Sequence, residues 1–444
     1  MEMVLLIIFV AIFTVLSWRR MNLAVGFLIM ALPTYLIRFD VAGIPMTVLE
    51  VMILVVIMVF FIKRRQMFFT KKLRFIYFYK NLVEGLCFSN YKWLMLAILV
   101  VATLAVWFSP ARLAALGVWK AYFVEPMLLF VVIINTIKTK EDFWQLINFW
   151  GVGAVIVSAA AIYQKITGQF IPNELWAAEE TRRVTSFFGY PNAVGLYLAP
   201  VVVMFAGRLI TRKAGFARMM EWTGLKSVII DFWVIICGAA AIWFAKSEGA
   251  MVAVLVGGLI LGLLIKKLRV LTLMTVAAGL LVLLLVPEIQ TLVMAKATLS
   301  DFSGNIRLII WRETIQMLGD SPIWGGGLAG FQTAIAGYHH AARVFEIYLY
   351  PHNIILNFWS ELGILGVIFF SFLLIKFFYN YFKAYRENQA IYLILIAVMT
   401  TILVHGIVDV PYFKNDLSVG WWFLFALSVV LIKRKNIGDE KTAG

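Results

Sequence analysis

Apolar runs of roughly bilayer length alternate with short polar segments along the whole chain. A hydrocarbon core about 30 Å thick is crossed by roughly 20 apolar residues in a helix, and tilting or local thinning accommodates other lengths. Thirteen runs fit this pattern, near residues 3–17, 21–37, 45–62, 93–109, 113–135, 143–163, 187–207, 227–245, 249–265, 269–286, 353–377, 390–408 and 417–432. The pattern predicts an all-α polytopic membrane protein of about 12–13 transmembrane helices, with residues 1–444 forming a single transmembrane domain.

The composition agrees with this interpretation. Hydrophobic residues make up 63% of the chain and charged residues 14%, against roughly 45–50% and about 25% in soluble domains. The net charge of +15 does not indicate a nucleic-acid partner, because the basic residues lie in short loops where membrane orientation explains them. Cys87 and Cys237 show neither disulfide nor metal-site spacing. The first run lacks a charged leader and a cleavage site, which favours a span over a removable signal.

The distribution of lysine and arginine predicts the orientation. Segment 63–92 carries eight basic residues against one acid, so the positive-inside rule places it in the cytoplasm. Alternating the spans from there puts the basic groups near Arg208, Lys266 and Lys433 on the same side. Four polar stretches then lie outside, at residues 164–186, 246–249, 287–352 and 409–416. The longest, 287–352, is expected to be an extracytoplasmic loop that carries part of the active site. Within it, Asp301–Trp311 and Thr314–Leu318 allow helices, and Trp324–Gly330 requires irregular backbone.

Two predicted helix starts on the outer side resemble each other. One opens with Tyr190-Pro-Asn192 and the other with Tyr350-Pro-His-Asn353. Proline favours the first helical turn, and the positive end of the helix dipole with its free N–H groups suits phosphate. Four arginines precede these starts: Arg182, Arg183, Arg307 and Arg312. Any one of them could be an interfacial anchor, but four beside two such ends favour an anion-binding site.

His352 is the candidate proton acceptor. A helix N-terminus disfavours the imidazolium form, so we expect His352 to be neutral near pH 7, although a plain interfacial hydrogen-bonding role is the alternative. The other histidines are interpreted differently, with His339 and His340 as surface residues of the loop and His405 as a structural residue.

Two further sets of polar residues lie within predicted spans. Asn353, Asn357 and Glu361 recur every four residues along one helix face, where they either brace a site or satisfy a neighbouring helix. Lys120 and Glu125 either pair with each other or line a cavity; the sequence leaves both alternatives open.

The sequence lacks the usual signatures of metal-dependent or nucleophilic enzymes. It contains no paired aspartates in an outer loop, no histidine–cysteine cluster, no phosphate-binding loop and no defensible Ser–His–Asp arrangement. What remains is a metal-independent and cofactor-independent reaction that uses arginines for charge and one histidine for proton transfer.

Four motifs in order carry a resemblance to a known family. They are residues 183–192 (RVTSFFGYPN), 304–311 (GNIRLIIW), 322–331 (PIWGGGLAGF), and 351–353 (PHN) followed by 361–363 (ELG). Together they resemble the O-antigen ligase/O-antigen polymerase superfamily of bacterial membrane glycosyltransferases. The resemblance covers about residues 150–375 and reaches the N-terminal third only through its hydropathy.

The resemblance implies a helical fold like that of GT-C glycosyltransferases and a location in the bacterial inner membrane. It also implies a glycan donor on undecaprenyl diphosphate and transfer, with inversion, to an acceptor hydroxyl of a glycan, lipid or protein at the outer face. Arg183 and Arg307 match the family's diphosphate-binding arginines, and His352 matches its essential histidine. One departure is Ser247-Glu-Gly249, where the family often has Ser-Arg-Gly, so either Lys246 replaces the cation or that phosphate contact is absent.

The wider set of expected substrate contacts is Arg182, Asn192, Lys246, Arg312, Asn353 and Glu361. The alternative function is a transporter or flippase of lipid-linked sugars. Such a protein should spread polar residues through many helices at mid-membrane depth. Here they gather at outer helix ends, which favours an enzyme.

Overall fold

The computed structural model describes residues 2–41, 43–69, 91–212, 222–339, 348–385 and 390–442. These residues are mainly helical. The helices are Glu2–Arg19, Met21–Met30, Val48–Phe69, Lys92–Phe108, Arg112–Trp119, Glu125–Thr136, Lys140–Thr167, Glu174–Ala177, Pro191–Thr211, Trp222–Phe244, Glu248–Leu264, Arg269–Leu285, Pro287–Ala297, Phe302–Asp320, Phe331–Ile335, Ile354–Tyr385, Ala390–Gly406 and Asn415–Thr442. A π-helical segment, Lys120–Val124, joins the two helices around it into one.

The helices confirm an all-α polytopic membrane protein. Within the described ranges, six are long and apolar enough to cross a membrane, or up to seven when a pair bent by 102° counts as one span. Five other predicted runs are apolar helices of 10–17 residues. Every predicted run therefore contains a helix, and several of these helices are short for a full crossing.

The predicted span 21–37 differs from the structure. Its helix ends at Met30 and continues as a 3-10 helix, Leu32–Leu36, because Pro33 has no N–H and restricts the residue before it. The chain then forms a hairpin of two antiparallel strands, Arg38–Val41 and Ile44–Thr47. Thr47 caps the next helix, where its backbone N–H donates to Glu50 at 2.7 Å and its hydroxyl accepts from the Glu50 N–H.

The helix Pro191–Thr211 occupies the centre of the bundle and contacts four others, Lys140–Thr167, Trp222–Phe244, Glu248–Leu264 and Ala390–Gly406. Nearly all its residues are buried. Glycines allow the close approach, since a Cβ at Gly195 would overlap Ala250. At its end, the buried Arg208 pairs with Asp231 and donates to Asn148 at 2.7 Å. Three helices are thus joined at the end of the bundle opposite Pro191.

The predicted outer loop 287–352 is largely structured. Asp301–Trp311 and Thr314–Leu318 belong to one continuous helix, Phe302–Asp320. The irregular backbone predicted for Trp324–Gly330 is confirmed, because Gly325 and Gly327 have φ values of 62° and 77°. This glycine segment packs on the membrane helix Ile354–Tyr385, with the Gly326 N–H donating to the Ser360 carbonyl at 2.7 Å. The loop is therefore fixed against the helix that begins just after His352.

Candidate active site

The candidate site lies where the helices Pro191–Thr211, Glu248–Leu264 and Ile354–Tyr385 begin. The hydroxyl of Tyr350 donates to that of Tyr190 at 3.0 Å. The two Tyr-Pro helix starts identified in the sequence therefore meet in the fold.

Arg183 joins two of the helix starts. Its Nε donates to the Ala245 carbonyl at 3.1 Å, and its Nη2 lies 3.3 Å from the Lys246 carbonyl and 3.5 Å from Oδ1 of Asn192. Arg183, Asn192 and Lys246 are thus brought together. Lys246 itself has a left-handed backbone, with φ of 50°.

The charges around Arg183 favour an anion. Burial lowers the pKa of the Arg183 guanidinium, Glu248 opposes this shift, and Arg307 adds to it. Two arginines that disfavour each other's charge are relieved by an anion bound between them. Glu248, the residue that departs from the family pattern, pairs with Lys296 of the helix Pro287–Ala297 at 2.7 Å.

Arg307 connects the helix Phe302–Asp320 to the site. Its Nε donates to the Val408 carbonyl at 3.0 Å, and its Nη1 lies 3.4 Å from the Ser303 carbonyl. One turn further along, the indole of Trp311 donates to the Pro351 carbonyl at 2.8 Å. The same helix therefore positions an arginine and the residue before His352.

His352 pairs with an aspartate that sequence reasoning did not single out. Its Nδ1 lies 3.4 Å from Oδ1 of Asp409, whose carboxylate is almost fully buried. Burial alone would raise the pKa of Asp409, but its hydrogen bond to His352, the charges of His352 and His405, and the Val410 N–H lower it overall. In the tautomer with the proton on Nδ1, an ionised Asp409 would accept the Nδ1–H and Nε2 would carry the lone pair.

The position of Asp409 in the sequence gave only a weak signal. It is the first residue of the outer polar stretch 409–416, directly after a predicted span. Nothing in its spacing from His352 predicts that the two meet.

Asn353 caps the helix that follows His352. Its Oδ1 accepts the N–H groups of Ile355 and Leu356 at 3.0 Å each, and its Nδ2 donates to the Ile407 carbonyl at 2.9 Å. Asn353 therefore holds the histidine turn against the segment that carries Asp409.

Three of the expected substrate contacts face other parts of the fold. The guanidinium of Arg182 donates to the carbonyls of Ala177 and Lys165 at 3.1 and 3.0 Å. Arg312 is exposed on its helix. The carboxylate of Glu361 accepts the Ala329 N–H at 2.5 Å, so it contacts the glycine segment.

The remaining polar candidates are placed as follows. Nδ1 of His339 lies 3.0 Å from Glu313, whereas His340 lies outside the described residues. His405 is 3% exposed and lies against Gly249. Lys120 is 3.0 Å from Glu50 and 3.9 Å from Glu125. It therefore pairs mainly with a residue outside its own helix.

Among the residues that the structure describes, no group of three or more histidines, cysteines or acids is arranged to hold a metal ion.

Comparison with known proteins adds one finding. A sequence search of curated proteins finds no match. Residues 233–371 match the sequence model of a family described as O-antigen ligase. This range includes Arg307, His352 and Glu361, and it excludes Arg183 and Asp409. This match supports the resemblance to the O-antigen ligase superfamily over residues 233–371 and, with it, a function of the glycan-transfer type.

Proposed function

We propose that this protein transfers a glycan from undecaprenyl diphosphate to an acceptor hydroxyl of a glycan, lipid or protein. The site would face the outer side of the bacterial plasma membrane. The observation that carries the proposal is the position of Arg307 beside the His352–Asp409 pair, with Arg183 close enough to Arg307 to feel its charge. Arg307 binds the carbonyl of Val408, the neighbour of Asp409, and influences Arg183 electrostatically.

The two arginines are suited to the diphosphate. Each has guanidinium N–H groups beyond those that bind backbone carbonyls, and a guanidinium binds phosphate oxygens with two parallel hydrogen bonds. Their charge would stabilise the negative charge that grows on the diphosphate as the glycosidic bond breaks. We therefore propose a metal-independent reaction in which arginines supply the positive charge.

His352 would act as the general base. Its Nε2 accepts the proton of the acceptor hydroxyl while Asp409 stabilises the imidazolium through Nδ1–H. The acceptor oxygen bonds to the anomeric carbon of the donor sugar as the bond from that carbon to the diphosphate oxygen breaks. Undecaprenyl diphosphate leaves with the electron pair, and the anomeric configuration inverts.

His352→Ala tests this role. We expect the variant to fold and to bind the undecaprenyl-diphosphate donor, but to transfer glycan roughly 10²–10⁴-fold more slowly, because it lacks the base. Turnover of a lipid-linked donor and donor binding are measured side by side in purified membranes.

His339→Ala is the matched control, since His339 pairs with Glu313 away from Arg183 and Arg307. It should retain most of the transfer rate. Near-normal turnover in His352→Ala would refute the general-base role. Loss of donor binding together with turnover would instead make His352 a diphosphate contact.

A further inference from the structure

Lys414 has an ammonium group without an anionic partner. It lies in the loop before the helix Asn415–Thr442 and is partly buried. Its Nζ stands 3.9 Å above the ring of Tyr190. Within the described part of the chain, it forms neither an ion pair nor a side-chain hydrogen bond. A ring face attracts one side of an ammonium, which has three N–H donors, so Lys414 has donors left for a ligand.

Asp416 does not neutralise Lys414 by contact. Burial lowers the pKa of Lys414, and the charge of Asp416 opposes this shift, but the two groups form no ion pair among the described residues. Asp416 is 2% exposed and lines a small cavity of about 30 Å³ together with Tyr197 and Trp421. Its Oδ1 has no hydrogen-bond partner there.

The hydroxyl of Tyr190 supplies a second donor beside Lys414. It accepts a hydrogen bond from Tyr350 at 3.0 Å, so its own proton is available to another acceptor. Two donors, one of them charged and partly desolvated, therefore lie together, and among the described residues neither donates a hydrogen bond to an acceptor. Such an arrangement suits an anionic oxygen.

This pair of donors lies beside the proposed reaction centre. The rings of Tyr350 and His352 are 5.0 Å apart. Tyr190 is two residues from Asn192, which contacts Arg183. A group bound at Lys414 would thus belong to the substrate whose sugar is near His352.

We propose that Lys414 and Tyr190 form a second anion subsite, which takes a carboxylate or phosphate oxygen of the substrate at His352. The inference rests on the proposed glycan transfer and adds a preference for a charged substrate. The anion has two possible sources, the carboxylate of an acidic sugar such as a uronic acid and the diphosphate of the donor.

Binding measurements on the full chain in lipid nanodiscs separate these sources. The probes are methyl β-D-glucuronide, neutral methyl β-D-glucoside and inorganic pyrophosphate, with sugars followed by saturation-transfer NMR and pyrophosphate by calorimetry. The variants are Lys414→Met, Lys414→Arg and Tyr190→Phe, with Arg307→Met as the control for the arginine site. Removing a charged hydrogen-bond donor should weaken the bound anion roughly tenfold to hundredfold.

We expect Lys414→Met to weaken the glucuronide, Lys414→Arg to retain it, and the glucoside to be unaffected. Weakening of pyrophosphate alone would support the subsite with phosphate as its anion. The proposal is overturned if wild type binds neither anion, if Lys414→Met weakens neither, or if it weakens the neutral glucoside equally.

Folding of each variant is checked by its thermal melting curve. Should Lys414→Met fail to fold, Tyr190→Phe carries the test, because it removes only the hydroxyl and should still weaken the anion severalfold. Unchanged binding of both anions in Tyr190→Phe would then overturn the subsite. If pyrophosphate still binds to Arg307→Met as it binds to wild type, the proposed arginine site is contradicted. The result for the Lys414 variants does not depend on that outcome.

Discussion

His352 adopts a left-handed backbone conformation, with φ of 50°. This conformation costs a residue other than glycine about 1–3 kcal/mol and persists only where the surroundings impose it. Here the Trp311 indole binds the carbonyl before His352, and Asn353 caps the helix after it. The strained turn directs the imidazole to Asp409, away from the regular path of the helix.

Asp409→Asn tests the importance of that contact. An amide cannot stabilise the imidazolium as a carboxylate does, so we expect transfer to fall by about 10²-fold or more while donor binding persists. The measurement is again turnover beside donor binding, with Asp320→Asn as a control at an acid that binds Tyr338. A rate for Asp409→Asn close to wild type would remove Asp409 from the mechanism.

At this scale the sequence singled out candidates by charge and helix position, and their roles stay predictions. Arg183 and His352 lie just before helix starts, which are visible in the sequence, and Arg307 was identified through its motif in the loop before the second start. Asp409 and Lys414 were not predicted, because their relation to His352 and Tyr190 depends on how distant segments fold together. Glu361 illustrates the converse case. The sequence predicted its depth in the helix. Its hydrogen bond from the Ala329 N–H could not be predicted, because it depends on how the glycine segment folds.

Among the elements, the helix Ile354–Tyr385 and the glycine segment Trp324–Gly330 form one unit. The helix is interrupted at Gly363, whose φ of 72° is non-helical. The N–H of the next residue, Ile364, donates to the Pro322 carbonyl at 3.3 Å. The break therefore provides a place for the predicted outer loop to attach, about three helical turns below His352.

Gly363→Ala should disrupt this attachment. A Cβ at this position would overlap the carbonyl oxygen of Ile323, and φ is unfavourable for alanine. We expect a loss of roughly 1–3 kcal/mol in the free energy of unfolding, seen as a lower melting temperature in nanodiscs. Gly319→Ala is the control, because nothing lies within 4 Å of a Cβ there and alanine favours the helix. Equal melting of the two variants would show that the break is not required.

Hydropathy predicted the helices well because, in lipid, the backbone N–H and C=O groups of each apolar run must form their hydrogen bonds within the run. It failed at 21–37, where Pro33 ends the helix although the side chains remain apolar. It also could not show that Asp301–Trp311 and Thr314–Leu318 form one helix. In the structure this single helix, Phe302–Asp320, packs against the helix Ile354–Tyr385.

At the scale of the whole molecule, two central helices have the site at one end and a further group of basic residues at the other. The helices Pro191–Thr211 and Glu248–Leu264 begin at the site. The first ends among Arg208 and Arg212, and the second is followed by Lys266 and Lys267. Positive residues favour the cytoplasmic side, so this polarity favours an outward-facing site.

Reporter fusions test this orientation directly. Fusions at residues 75, 215 and 436 should report the cytoplasm, since each follows or lies within a basic segment, and a fusion at residue 335 should report the outside. An enzyme active only outside the cytoplasm, such as alkaline phosphatase, and a reporter that fluoresces only inside provide opposite readouts at each position. The fusion at 335 is the decisive one, because Ile335 packs against the helix that carries Arg307. A cytoplasmic signal there, with an external signal at 75, would invert the protein and place His352 on the side where the proposed transfer cannot occur.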